Sequence, residues 1–292
     1  MSTSTASTAA SGRTRQTSPD GKIRGNKLHH KSPTGRKFSP AARTAMIWTL
    51  RALIPTVLIV GWQVGADRGL IDPFFYSSPS EVGKFFWGMV TSGELAQAAW
   101  ATIQATILGF TLGASLAIVI GLVLAHFSFA DHVLSPMFVA LNALPRVALA
   151  PMFVLWFGIG LTSKVVLAAS LVFFIVLVNT QAGAKSADEE LHRMARAMGA
   201  SSRQRFIFVV LPSAVPAIFA GLRLGLVYAL LGVIVGEMLA AKAGMGQLVS
   251  LYSGTYRTAG VLAALLALGI LGVLLNALTV AVERRLLRWQ RD

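Results

Sequence analysis

The sequence has no cysteine and little charge: 13% of its 292 residues are charged and only 12 are acidic. Without cysteine there are no disulfides, thiolate metal sites or cysteine nucleophiles. Nucleotide and catalytic signatures are missing too. There is no GxxxxGK[ST], and the nearest glycine run, "GIGLTSK" at 158–164, lacks the Gly-Lys-Ser/Thr ending. There is no HExxH, GxSxG or GxGxxG after a strand. The five histidines, His29, His30, His126, His132 and His192, form no metal-ligand pattern with a carboxylate at helical spacing. We therefore expect no catalytic residues, no metal site and no bound cofactor in this chain.

What the chain does have is apolar residues, at 54% of the total. So little charge beside so many apolar side chains points to lipid as the solvent. A helix needs roughly 20 apolar residues to cross a bilayer core. The runs here are too long for barrel strands. The expected class is an all-α membrane protein. Six segments can be drawn, at about 44–66, 97–125, 133–157, 162–182, 213–241 and 258–283. The third is interrupted at "NALPRVALAP".

Charge is uneven along the chain. The net charge is +14, of which residues 1–51 carry +9 with Asp20 as their one acid. The Ser/Thr/Gly-rich stretch 1–43 reads as a disordered basic tail, either setting topology or binding lipid headgroups or nucleic acid. The topological reading is preferred and no nucleic-acid partner is expected. The C-terminal "ERRLLRWQRD" is basic, as is the loop at 183–205 with Lys185, Arg193, Arg196, Arg203 and Arg205. Six spans place both termini and this loop in the cytoplasm by the positive-inside rule. The loops at 67–96, 158–164 and 242–257 then lie outside. The six tryptophans, Trp48, Trp62, Trp87, Trp100, Trp156 and Trp289, mostly fall near segment ends, as interfacial anchors do. In the first outer loop, Pro79-Ser80-Glu81 opens a short helix with an apolar stripe of Val82, Phe85, Phe86 and Met89. It either lies on the membrane surface or packs on the bundle.

The most charged stretch outside the tails is "SADEELHRMARAMGASSRQRFIFVVLPSAVP", residues 186–216. Ser186 and Glu189 have capping-box spacing. Asp188, Glu189 and Glu190 suit the first turn. Leu191, Met194, Ala195 and Met198 make one apolar face. Glu189 and Arg193 are a favourable i,i+4 pair. Gly199 stands where a C′ glycine would. Ser201 or Ser202 caps a second short helix, and Pro212 and Pro216 reset the chain before the fifth span. A methionine-bearing face beside charge suits docking to a partner, or burial in the lipid interface.

This stretch resembles the cytoplasmic loop of the permease subunits of binding-protein-dependent ABC importers. The family pattern is Glu-Ala-Ala, three residues, Gly, nine residues, Ile, one residue, Leu-Pro. Here stand Arg193-Met194-Ala195, Gly199, Val209 and Leu211-Pro212. Arg193 replaces the acid, and Glu189 or Glu190 one turn earlier can take its role. "SSPSEV" at 77–82, "LPRVALAPMFVLWFGIG" at 144–160, "FAGLRLGL" at 219–226 and "VGEMLAA" at 235–241 are similar to the branch importing nitrate, sulfonates, taurine and bicarbonate.

The resemblance implies a type I ABC importer permease fold over 44–292, with the importer core at about 97–283. It implies a coupling helix at 186–200, with Glu189, Glu190, Arg193, Met194, Ala195, Met198, Gly199, Leu211 and Pro212 facing a separate ATPase that binds ATP and Mg. It further implies a solute-binding protein, a second permease copy forming a homodimer, surrounding lipid and a place in the bacterial inner membrane. The polar residues at membrane depth, Asn142, Arg146, Asn179 and Glu237, either line a path for a small anionic solute or are structural, Arg146 and Glu237 neutralising each other or bonding free carbonyls. Arg223 also lies in the fifth span. An ion-driven secondary transporter is the alternative; it would show paired broken helices and inverted repeats. One broken segment and no obvious repeat are visible.

Overall fold

The computed structural model describes residues 40–286, with side chains from 46 to 285. Nearly all of the expected tail at 1–43, and Arg288, Trp289 and Arg291, lie outside the described residues. The chain divides into two units, 1–53 and 54–292. In the first, helix α1 (Pro40–Asp67) begins, and the Arg51 guanidinium sits 5.2 Å from the centre of the Trp48 ring.

Among its described residues the second unit has helices joined by short turns and no strand. Two short helices, α2 (Pro73–Tyr76) and α3 (Pro79–Thr91), lead to the long α4 (Glu94–His126). The broken segment follows as α5 (Ser128–Ala143), a 3₁₀ turn at Arg146–Leu149 and α6 (Ala150–Phe157). Its two arms bend by 76°, because Pro145 removes a donor and restricts Leu144 to extended backbone. Then come α7 (Leu161–Lys185), α8 (Glu189–Ala197), α9 (Ser202–Arg205), α10 (Leu211–Ala240), α11 (Met245–Gly254) and α12 (Thr258–Leu286). Among the described residues five helices are long and apolar enough to cross a membrane, or six if the bent pair is one span. This agrees with the six expected segments.

The centre is α4, α7 and α10, packed along one another. In lipid, helices do not associate to escape water, so close backbone approach and fit decide which faces meet. The α4 stripe Ala105, Gly109, Gly113, Ala117 and Gly121 is wholly buried at four-residue spacing. A Cβ on Gly113 would stand 2.5 Å from the Ala169 carbonyl oxygen, and one on Gly109 2.6 Å from the Ala168 Cβ. The α7–α10 seam is as tight: a Cβ on Gly183 would lie 2.5 Å from Ala217 Cβ.

A second cluster joins Val82 and Met89 of α3 to Met245, Leu248 and Tyr252 of α11 and Ala263, Ala264 and Leu268 of α12. The short helix α3 is thus a packing element, opened by Ser78, whose hydroxyl accepts from the Glu81 N–H. By contrast, α5 has no buried residue.

Candidate coupling loop and polar sites within the spans

The loop begins where α7 stops. Ser186 has helical backbone, and its hydroxyl donates to the Gly183 carbonyl at 2.8 Å. It therefore finishes α7, and the capping box expected of Ser186 and Glu189 does not form. The cap of α8 is Asp188, which has the extended backbone an N-cap needs and accepts from the Glu190 N–H at 2.8 Å. Glu189 pairs with Arg196 at 3.4 Å, not with Arg193, because Arg196 reaches back from the last turn of this short helix. The capping box lies one helix later, between Ser201 and Gln204.

Gly199 ends α8 at φ +79, the left-handed conformation that favours glycine, and the Ala200 N–H closes the turn on the Ala195 carbonyl at 2.9 Å. The apolar face divides. Ala195 is buried, whereas Leu191, Met194 and Met198 are exposed, Met198 at 79%. Glu190 and Arg193 are exposed as well.

Pro212 and Pro216, expected from sequence to reset the chain before the fifth span, do not break it. Helix runs from Ser202 to Ala240 through one π turn at Phe206–Val210. Pro212 falls in the first turn of α10, where a proline is tolerated, and the Ser213 hydroxyl donates to the Val209 carbonyl at 2.8 Å. Leu211 is half-buried and Pro212 exposed. The loop is thus stiffly joined to α10. A cavity of about 410 Å³ lies between it and the end of α4, lined by His126, Phe127, Arg203 and Phe206 among others. Lys185 and Asp131 pair at 2.8 Å, tying the end of α7 to α5.

Arg146 and Glu237 do not neutralise each other. At the break, Arg146 donates to the Asn142 carbonyl at 2.8 Å and to the Asn142 side chain, and its guanidinium lies 4.0 Å from the centre of the Phe174 ring. Asn142 is exposed. Asn179 donates to the Ile175 carbonyl of its own helix and lies against Gly221, whose added Cβ would be 2.7 Å from Asn179 Cβ. Arg223 pairs with Glu283 of α12.

Glu237 is wholly buried, and its partner is Lys164, 3.3 Å away. Lys164 also donates to the Ala243 carbonyl at 2.9 Å. The carboxylate accepts from the Thr102 hydroxyl and the Gly246 N–H, and the Thr102 oxygen accepts from the Met245 N–H at 2.9 Å. One knot thus joins α4, α7, α10 and the α10–α11 turn, at the end of the core away from the coupling loop. Lys164 was missed because it was read as the tail of a failed phosphate-loop motif. The available signal was an ionisable residue one turn inside an apolar helix. Nearby, the Tyr252 hydroxyl donates to Glu94 at 2.8 Å. Burial first, and then this bond to an acid, push the Tyr252 phenol up to about 12. Among the described residues no three His, Asp or Glu side chains gather as metal ligands.

The sequence of residues 117–288 matches the family described as "Binding-protein-dependent transport system inner membrane component". The chain belongs to that family. It is therefore a non-catalytic, multi-pass membrane permease subunit of an ABC transporter, with the ATPase a separate subunit. The permease is 38% identical over 258 residues to the riboflavin transport system permease protein RibX of Chloroflexus aurantiacus, covering 87% of this chain and 96% of that one. It is 32% identical to the putative aliphatic sulfonates transport permease protein SsuC of Bacillus subtilis, over 84% and 89% of the two chains. It is 31% identical to the taurine transport system permease protein TauC of Escherichia coli, over 81% and 88%. Among solved structures, an inward-facing MetNI methionine ABC transporter matches with a TM-score of 0.56 at 20% identity, covering 64% of this chain and 93% of that one. The fold is that of type I ABC importer permeases.

Proposed function

We propose that the permease forms the path of an ATP-driven importer for a small anionic solute of the sulfonate, nitrate or taurine kind. A solute-binding protein delivers the solute outside, and the 186–212 loop rests on an ATPase subunit that binds ATP and Mg inside. The observation that carries this reading is α8. It is a capped helix whose Leu191, Met194 and Met198 are exposed together beside Glu189, Glu190 and Arg193. An apolar stripe rimmed by charge suits a groove on a partner. Its join to α10 through continuous helix gives a push on the loop a stiff route into the core.

The loop's basic residues support a cytoplasmic side for it and for both termini under the positive-inside rule. The Lys164–Glu237 end then faces outward. Lining of the path by Asn142 and Arg146 is supported by their place at the bent, loosely packed segment. Asn179 and Glu237 are held within seams and act structurally. The exposed apolar faces of the other spans suit lipid and a second permease copy. The relatives are named for different solutes, so the binding protein is the natural place for the choice among them.

The test replaces Leu191, Met194 and Met198 together with glutamate in the full-length permease. These side chains are exposed, so membrane insertion and thermal stability should match wild type, while co-purification of the ATPase should be lost. Undiminished co-purification overturns the coupling role.

A further inference from the structure

At the end of the core away from the coupling loop, a cavity of about 240 Å³ opens between the start of α4, the start of α7 and the α10–α11 turn. Its polar lining residues are Gln104, Lys164 and Lys242, beside Gly160 and Leu161. No acid lines it. The nearest carboxylate, Glu237, has a fully buried side chain behind Lys164, with its oxygens engaged by Thr102, Gly246 and Lys164. An ammonium has three donors, and Lys164 uses two, on Glu237 and Ala243. Lys164 is itself 6% exposed, so the remaining donor is held on a fixed stem. Lys242 is exposed and has no ion-pair partner among the described residues. Gly160 begins a 25-residue helix with no side-chain cap, so unpaired N–H groups and the positive end of the helix dipole add to the same field.

We infer that this cavity binds a small oxyanion, a sulfonate or carboxylate group, as the solute enters the permease. The inference rests on the importer reading and its outward-facing orientation, and deepens it by placing an anion site on the permease itself. Local charge carries the argument. The Lys164–Glu237 pair is neutral as a unit, but Lys164 and not Glu237 lines the cavity. Lys242 adds an uncompensated positive charge, and Gln104 adds an amide donor. Drug-sized ligands occupy roughly 300–1,000 Å³, so this cavity admits a small headgroup and not a large solute in full.

The experiment measures equilibrium binding of radiolabelled ethanesulfonate to the full-length permease in nanodiscs of zwitterionic lipid, without ATP or binding protein. Ethylammonium serves as the control cation. Saturable ethanesulfonate binding, with none for ethylammonium, is expected. Lys242→Glu should weaken it by about tenfold or more, a change of about 1.4 kcal/mol, and Lys242→Arg should retain it. No saturable binding, equal binding of the cation, or an unchanged affinity in Lys242→Glu overturns the site. If nanodiscs containing phosphatidylglycerol abolish binding, the cavity takes a lipid headgroup and the solute site is overturned. ATPase co-purification, measured on the same variants, should be unchanged. A lost anion site with intact co-purification refutes this inference alone, whereas a wild-type permease that holds no ATPase refutes the importer reading.

Discussion

Replacing Lys164 with methionine tests the reading of the buried knot most directly. The side chain of Glu237 is wholly buried, and Lys164, 3.3 Å away, is its one cationic partner among the described residues. After Lys164→Met, Glu237 keeps the Thr102 hydroxyl and the Gly246 N–H but no opposing charge, and the Ala243 carbonyl loses its donor. Removing one partner of a buried ion pair costs about 3–5 kcal/mol. The surviving hydrogen bonds put this case near 3 kcal/mol, about a hundredfold in the folded-to-unfolded ratio. Glu237→Gln in the Lys164→Met background removes the stranded charge while leaving an oxygen for Thr102 and Gly246, so the double variant should recover at least half the loss. The assay is SDS-driven unfolding of the purified permease in mild detergent, followed by tryptophan fluorescence, across wild type, both single variants and the double variant. The double variant should be less destabilised than the sum of the singles by more than about 1 kcal/mol. Additivity within about 0.5 kcal/mol, the behaviour of independent sites, would refute the claim that these side chains form one electrostatic unit.

Gly113→Ala should destabilise the permease by about 1–3 kcal/mol in the same assay, because the new methyl meets backbone at 2.5 and 3.0 Å, whereas Gly269→Ala, with nothing within 4 Å, should be neutral or better. Tyr252 titrates late, at about 12. Its protonated form is favoured by the fold, so its contribution is complete below the ordinary tyrosine pKa of about 10 and is lost as pH rises from there through 12. Tyrosinate absorbance should show one late-titrating group that vanishes in Tyr252→Phe, and stability of that variant should fall less steeply above pH 10.

The spans were legible in the sequence because lipid imposes a length and a composition that few soluble segments share. The end of α8 was legible because Gly199 is backbone punctuation, which acts locally, whereas Pro212, expected to punctuate as well, falls in the first turn of α10 and leaves the helix continuous. Its first cap was misplaced by two residues: both Ser186 and Asp188 can cap, and choosing between them requires knowing where α7 stops. The polar knot was only half visible. Glu237 stood out within an apolar span, but its partner lies 73 positions earlier. Pairing across that distance depends on helix packing, so Arg146, the conspicuous cation at the span break, was a false candidate. Arg146 instead serves its own helix break and the Phe174 ring.

The small-residue stripe of α4 connects these sites. Ala105, Gly109, Gly113, Ala117 and Gly121 recur every four residues on the buried face of α4, and Gly109 and Gly113 set it against the backbone of α7. Gly183 and Gly232 do the same between α7 and α10, where Gly221 and Gly225 pack against side chains of Asn179, Val172 and Val176. Side chains can change rotamer under load, but backbone held against backbone has no such slack. Helix α7 runs 25 residues, about 37 Å at 1.5 Å per residue, from beside the Lys164 knot to the Lys185–Asp131 pair at the coupling loop. A displacement of the loop therefore carries α4, α7 and α10 as one body and moves the knot with them. The bent α5–α6 segment has no comparable seam, so relative movement falls there, at Asn142 and Arg146. The Gly113 substitution bears on this directly: if Gly113→Ala leaves stability unchanged, the seam has slack and the rigid-body account fails.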